Sequence, residues 1–395
     1  DQLFVENNSW KVRFGQNLEI MGYKSTYFGE AITLPSVGIT TKEFTRTIDY
    51  NGDGQRDLLV ANSDTTNWQI ISYEDSTTQA TTCEPNGGGT KFCETSSDLR
   101  AYKLTDVGFP AKGRSKGAWV ADYDGDGMED IVFVENNTLK AYRNKGVTVS
   151  GSTTPDTFLG FELVSNLGDL SGVSLINEQY GYTHAQSVSS RDSSAIDVNG
   201  DGKTDILMRV TFGSCSSPGF DTPNECRYEG GTLETLSEWR VYSSNGSTFT
   251  AIWTLPYVSG LSNIRAVDLN GDGYTDLMYQ SGTTWYYALS NGVTLQNPRT
   301  SYLTTTTALS PLTYFLDLNR DGTTDVLVPY NDSNWVIHLS RPTAMPDEIN
   351  FESRGTLNHD AYASIQFADV NGDGLLDMLT SNDSNGWKLY TNKRT

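Results

Sequence analysis

Six short segments of the chain set oxygen-bearing side chains at alternate positions. They are DYNGDGQRD, DYDGDGMED, DVNGDGKTD, DLNGDGYTD, DLNRDGTTD and DVNGDGLLD, starting at residues 49, 122, 197, 268, 317 and 369. Positions 1, 3, 5 and 9 are Asp49, Asn51, Asp53 and Asp57 in the first and Asp122, Asp124, Asp126 and Asp130 in the second. They are Asp197, Asn199, Asp201 and Asp205 in the third, and Asp268, Asn270, Asp272 and Asp276 in the fourth. The fifth has Asp317, Asn319, Asp321 and Asp325, and the sixth Asp369, Asn371, Asp373 and Asp377. Calcium takes six to eight oxygens at about 2.3–2.6 Å, and alternation folds such side chains around one point. Glycine at position 6 permits the sharp turn. Position 7 varies freely (Gln55, Met128, Lys203, Tyr274, Thr323, Leu375), which suits a ligand offered by the main-chain carbonyl. The spacing therefore predicts about six bound Ca²⁺ ions. Magnesium, with its demand for fewer protein oxygens and retained waters, fits less well.

The segments hold 19 Asp and five Asn, and the chain carries a formal charge of −21. Six dications would add 12, leaving about −9. Without cations, the carboxylates of one loop would repel one another. Paired carboxylates can also act as general acid and base. Here the same residues recur in six copies and are committed to a cation, so no catalytic residue is assigned. No nucleophile elbow, HExxH or phosphate loop occurs. His184, beside Tyr180 and Tyr182, could serve as a base in a polysaccharide lyase or hydrolase, which keeps that class as an alternative. His338 falls on a third strand and His359 precedes a first strand.

Strands must position these loops. Each segment is followed by a short apolar run (DLLVAN, DIVFVENN, DILMRV, DLMYQ, DVLVPYND, DMLTSND) and preceded by another, such as GAWVAD or IQFAD. A Trp then marks the next strand: Trp68, Trp239, Trp285, Trp335 and Trp387, with Leu139 in the second copy. The opening DQLFVENNSW aligns with the second copy, placing Trp10 in the same slot and giving a truncated repeat over residues 1–35. The six tryptophans are expected to pack between blades. Each unit reads as strand, acidic loop, strand, strand, strand. Four-stranded antiparallel blades of this kind stack about an axis in a β-propeller. The expectation is one all-β domain over residues 1–395, a seven-bladed β-propeller with incomplete first and last repeats.

Composition narrows the setting. The acidic balance argues against nucleic acid, and no stretch of about 18 apolar residues is present to insert in a membrane. The cysteines fall as close pairs, Cys83 with Cys93 and Cys215 with Cys226, without zinc-ligand spacing. Two local disulfides are expected, and with them an oxidising, extracellular or cell-surface location.

These residues resemble the FG-GAP/VCBS repeat: an apolar residue, D-x-[DN]-G-D-G-x-x-D, two apolar residues and a W-x-apolar strand. The resemblance covers nearly the whole chain. It implies an integrin α-like calcium-binding propeller with the ion held between the first two strands of a blade. Arg320, in place of the usual Gly at position 4, is expected to set a cation beside the fifth loop. The repeat serves adhesins, lectins, polysaccharide-processing enzymes and the shells of toxin-complex and RHS-repeat proteins. The family therefore implies a calcium-stabilised extracellular module binding a glycan or protein, adhesin- or lectin-like. The alternative is a structural propeller segment of a larger RHS or toxin-complex-like polypeptide.

Hairpin ends alternate in an antiparallel blade. The Cys83/Cys93 insertion is expected at the acidic-loop end and the Cys215/Cys226 insertion at the other. The stretch from 174 to 187 should share that other end. Its Asn177, Glu178, Gln179, Tyr180, Tyr182 and His184 mix aromatic faces with hydrogen-bonding groups and form the candidate ligand site, since loops on a rigid scaffold commonly carry function.

Overall fold

The computed structural model describes most of residues 2–392; the longer stretches outside the described residues are 35–44, 75–79, 86–90, 97–100, 113–117, 149–156, 171–184, 216–232, 256–260, 305–312 and 359–363. The chain forms two compact units. One comprises Asp1–Phe14, Phe28–Asp122 and Asp126–Asn166, the other Gly15–Tyr27, Tyr123–Gly125 and Leu167–Thr395.

The architecture is all-β, with four-stranded antiparallel blades of the propeller type whose strands pair in sequence order. Blade I has Thr45–Ile48, Asp57–Val60, Asn67–Glu74 and Ala101–Pro110. Blade II has Ala118–Ala121, Asp130–Glu135, Thr138–Asn144 and Phe161–Asp169. Blade III has Ala185–Ile196, Asp205–Cys215, Leu233–Ser244 and Phe249–Leu255. Blade IV has Leu261–Val267, Asp276–Ser281, Thr284–Ala288 and Arg299–Thr304. Blade V has Tyr314–Leu316, Asp325–Asn331, Asn334–Pro342 and Ile349–Asn358. Blade VI shows three strands, Ser364–Ala368, Asp377–Asn382 and Gly386–Tyr390.

The expected seven blades become six. The N-terminal sheet has three strands, Gln2–Glu6, Ser9–Arg13 and Ile32–Thr33. Its strands pair in sequence order, and among the described residues none of its connections is an acidic loop. Among the described residues six sheets contain the strand–acidic loop–strand unit, and the N-terminal apolar run matched that unit in strand pattern alone.

The tryptophan slot behaves as its periodicity implies. Trp10, Trp68, Trp239, Trp285 and Trp335 are buried, as is Leu139. Trp68 packs with Ile131 and Phe133 of blade II, and Trp239 with Ile264, Leu277 and Tyr279 of blade IV. Trp285 meets Val326 and Val328 of blade V, and Trp335 meets Ile365 and Met378 of blade VI. The side chain of Trp387 lies outside the described residues. Each large ring thus fills the space against the next blade, where a flat sheet face would otherwise stay wet.

The insertions fall in the connections that the strand order requires. A hairpin of Ala80–Pro85 and Lys91–Ser96 lies between the third and fourth strands of blade I, and its register sets Cys83 opposite Cys93. Directly opposed positions of an antiparallel pair have Cα atoms about 4.5–5.5 Å apart, within the range of about 4.4–6.8 Å that a disulfide spans. Non-reducing peptide mapping is expected to recover a Cys83–Cys93 cross-link; a Cys83–Cys215 peptide would contradict it. Cys215 ends the second strand of blade III, while Cys226 lies outside the described residues.

Candidate metal centres

The first and second strands of every blade are joined by an acidic loop, and its backbone is wound by its own side chains. In the loop of blade IV, the N–H groups of Gly271 and Gly273 donate to Asp268 Oδ1 and Oδ2 at 2.7 and 3.0 Å. Asp272 N–H donates to Asn270 Oδ1 at 3.1 Å, and Tyr274 N–H to Asp272 Oδ1 at 2.9 Å. The same bonds recur in the loops starting at 49, 197 and 369. Positions 4 and 6 bend through positive φ, +74° at Gly271 and +85° at Gly273, which a side chain tolerates poorly. This repeated Asx-turn winding draws the side chains of positions 1, 3 and 5 against the main chain of their own loop.

The donor set fits calcium most directly in blade II. Asp122, Asp124 and Asp130 bring carboxylate oxygens within 4.8 Å of one another. Oxygens on opposite sides of one Ca²⁺ are about 4.6–5.2 Å apart, so these three can share an ion without rearrangement. Among the described residues no other loop gathers three carboxylates so closely. Position 3 is Asn in those loops. Position 5 is also diverted: Asp272 Oδ2 accepts from Asn270 at 2.7 Å, Asp201 Oδ2 from Lys203 Nζ at 3.1 Å, and Asp321 Oδ2 from Arg341 Nη1 at 2.7 Å. In blade II, Asp126 Oδ2 faces Arg143 at 3.3 Å and stands outside the three-carboxylate group.

The expectation for Arg320 needs correction. Its Nη1 donates to the main-chain carbonyl of Asp373, at 3.2 Å, in the loop of blade VI. The cation beside the fifth loop is Arg341 instead. Long side chains at loop positions reach across to the neighbouring blade: Met128, Lys203, Tyr274 and Thr323, at position 7, each cover the position-4 glycine of the loop before (Gly52, Gly125, Gly200, Gly271). Arg320 reverses that direction from the glycine's own place.

Position 9 has a second role that its place in the motif conceals. Asp205, Asp276, Asp325 and Asp377 are buried. One oxygen accepts the N–H of position 2 of the same loop: Val198, Leu269, Leu318 and Val370, at 2.9–3.1 Å. The other accepts the N–H of a residue within two positions of the end of the third strand: Ser244, Ser290, Ser340 and Asn392, at 2.7–2.9 Å. Asp130 does the same for Asn144 at 2.7 Å. Burial pushes the carboxyl of Asp205 up to about 6, that of Asp276 to about 7 and that of Asp325 to about 6, with the charges of their own loops adding to it. A buried anion crowded by others is the environment a dication would relieve.

Those third-strand residues went unread in the sequence. A weak signal existed: Asn144, Ser244 and Ser290 each precede a glycine by two (Gly146, Gly246, Gly292), whose N–H donates back to the side chain. The candidate ligand residues Asn177, Glu178, Gln179, Tyr180, Tyr182 and His184 lie outside the described residues.

Residues 197–279, 268–328 and 317–380 match the FG-GAP-like repeat. A search of curated proteins finds no match. Among solved structures, a lectin of Agrocybe aegerita, described for its specific recognition of non-reducing terminal N-acetylglucosamine, is similar with a TM-score of 0.50 and 15% identity; the match covers 88% of this chain and 80% of that one. The Photorhabdus luminescens Tc holotoxin pore is similar with a TM-score of 0.44 and 15% identity, covering 97% of this chain and 16% of that one. At such identity the likeness to the lectin is one of fold.

Proposed function

Because this chain carries FG-GAP-like repeats, matched over residues 197–380 and set in blades of the propeller type, we propose that it is a calcium-stabilised extracellular binding module for a glycan or protein ligand. The observation that carries the metal part of this reading is the cluster of Asp122, Asp124 and Asp130 within 4.8 Å. It sits on one of six loops in which the N–H of position 6 donates to the position-1 carboxylate and that of position 7 to the position-5 carboxylate. The ions would be held by positions 1, 3 and 5 and by the position-7 carbonyl, with position 9 bearing on the same centre. Bound calcium would neutralise the loop carboxylates and fix the turn between the first two strands of each blade.

The binding part rests on the scaffold. Rigid blades present connecting loops at both ends, and a lectin of similar fold recognises a sugar. The stretch with Tyr180, Tyr182 and His184, which lies outside the described residues, is the proposed contact surface. Aromatic faces beside amide and carboxylate groups suit sugar rings or protein side chains. The reading assigns no catalytic residue.

Two measurements test it. Metal analysis after dialysis at low calcium and refilling is expected to count about six ions per chain; two or fewer would sink the metal reading. A glycan array and a pull-down with the recombinant chain, beside a Tyr182→Ala variant, are expected to return a ligand whose retention falls in the variant at unchanged melting temperature. Calcium uptake with no retained ligand would favour a purely structural segment of a larger assembly.

A further inference from the structure

Neighbouring acidic loops are joined by a repeated bridge. The residue that holds a position-9 aspartate through its N–H also sends its side chain to the loop of the preceding blade. Ser290 Oγ donates to the carbonyl of Val198, Ser340 Oγ to that of Leu269 at 2.7 Å, and Asn392 Nδ2 to that of Leu318 at 3.1 Å. Asn144 Nδ2 donates to Tyr50 O at 2.8 Å and Ser244 Oγ to Tyr123 O at 2.6 Å. In all five the acceptor is position 2 of the preceding loop, the residue next to its first ligand candidate. A second bridge runs through position 8. Thr275 N–H donates to Asp197 O at 3.0 Å, and Thr324 N–H to Asp268 O at 2.7 Å. Asp49 N–H donates to Glu129 Oε2 at 2.6 Å.

We propose that Asn144, Ser244, Ser290, Ser340 and Asn392 are latches that couple the acidic loops of neighbouring blades, so that filling one loop with Ca²⁺ raises the affinity of the loop before it. This inference rests on the calcium reading above. One latch grips two loops at once: by its N–H the position-9 carboxylate of its own blade, by its side chain the position-2 carbonyl of its neighbour. An ion that fixes the position-9 aspartate fixes the latch N–H, and the latch side chain then holds the neighbour's first turn in the shape its own ion needs. Ser290, Ser340 and Asn144 are buried, so water cannot stand in for the lost bond without room being made. Coupling between sites is a difference in affinity and must be reciprocal. The use of either Ser or Asn at the same place indicates that the requirement is a donor of short reach, not one side chain.

The test uses the whole chain and three variants: Ser340→Ala, Ser340→Asn and, as a second latch, Ser290→Ala. Calcium titration by calorimetry is expected to give a Hill coefficient above 1 in the parent, falling toward 1 in both alanine variants with ion count unchanged. The affected loops should weaken about fivefold or more, the low end of ordinary site–site coupling. Ser340→Asn should restore the parent curve, as Asn392 serves in the same place. In calcium-free buffer, amide hydrogen exchange of residues 268–276 should quicken in Ser340→Ala and that of 197–205 in Ser290→Ala. If the parent binds about six ions with a Hill coefficient of 1 and the alanine variants match it, the coupling is overturned and the calcium reading stands. If the parent takes up no calcium, the calcium reading fails, and with it the coupling of ions. Unchanged exchange in the neighbouring loop of the alanine variants overturns the latch whatever the calcium result.

Discussion

Replacing Asp276 by Ala will destabilise the calcium-free protein far more than replacing Asp272, four residues earlier in the same loop. Asp272 is exposed; its loss frees the N–H of Tyr274 and the amide of Asn270, both within reach of water. Asp276 is buried, and its two oxygens satisfy the N–H groups of Leu269 and Ser290 at 2.9 and 2.7 Å. Alanine leaves both donors buried and unpaired, at about 1–3 kcal/mol each. Part is returned because a carboxylate is no longer desolvated. A net loss of about 2–4 kcal/mol is expected, a large fraction of the roughly 5–15 kcal/mol by which ordinary domains are stable. Asp276→Asn should fall between, since one amide oxygen can still accept while the NH₂ group meets a second donor. In urea denaturation with a chelator present, Asp272→Ala should lie within about 1 kcal/mol of the parent. With calcium added the order narrows, because Asp272 then loses an ion ligand. Equal midpoints for the two alanine variants without calcium would refute the division of labour between positions 5 and 9.

That division shows where the sequence was legible and where it was not. The period of the apolar runs and the tryptophan slot are local, and they located six of the seven expected blades, because a large ring repeated at one offset has little to do but fill the gap to the next sheet. The acidic motif located the loop between the first two strands for the same reason. What the motif could not separate was Asp272 from Asp276. Both are aspartates at alternating positions, and only burial, set by the residue that ends the third strand, makes one a surface oxygen and the other an anchor. Ser290 is a bare serine at the end of a strand, and its partners, Asp276 and Val198, are 14 and 92 residues away. Arg320 misled for a related reason. An arginine written inside a motif suggests a cation in that loop, but its length carries the guanidinium to Asp373, 53 residues on. The count of blades failed where the N-terminal stretch matched the repeat in apolar pattern alone.

Calcium should reverse the sign of the protein's response to pH. Consider first the protein with a chelator present. Burial raises Asp205, Asp276 and Asp325 to about 6, 7 and 6, whereas in the unfolded chain an aspartate titrates near 3.9. Between about pH 4 and 7 the folded state therefore binds more protons than the unfolded one. Stability then falls as pH rises through that window. His338, lowered by burial, pulls the other way, but it is one group against three. Burial pushes Asp201 and Asp321 up, but hydrogen bonds and neighbouring Lys203 or Arg341 outweigh it and hold them below their usual values, as Lys140 and Lys112 do for Glu135. Their stabilising contributions are present above the unfolded pKa and are lost only as pH falls toward and below about 4. The chelated protein should thus melt at a higher temperature at pH 5 than at pH 8. With calcium in the loops, a dication beside each buried carboxylate favours its ionised form and brings the folded pKa below the unfolded one. Protons then compete with the metal, and stability falls on acidification instead. Each ion present at about 100 times its Kd adds roughly 2.7 kcal/mol by mass action, so several loops emptying together at pH 5 should lower the melting temperature steeply. Scanning calorimetry at pH 5 and pH 8, with chelator and with excess calcium, gives four melting temperatures. The expected pattern is a crossing: pH 5 above pH 8 with chelator, pH 8 above pH 5 with calcium. Parallel slopes in the two buffers would mean that no dication reaches the position-9 carboxylates, and the loops would then be turns wound by aspartate for their own sake.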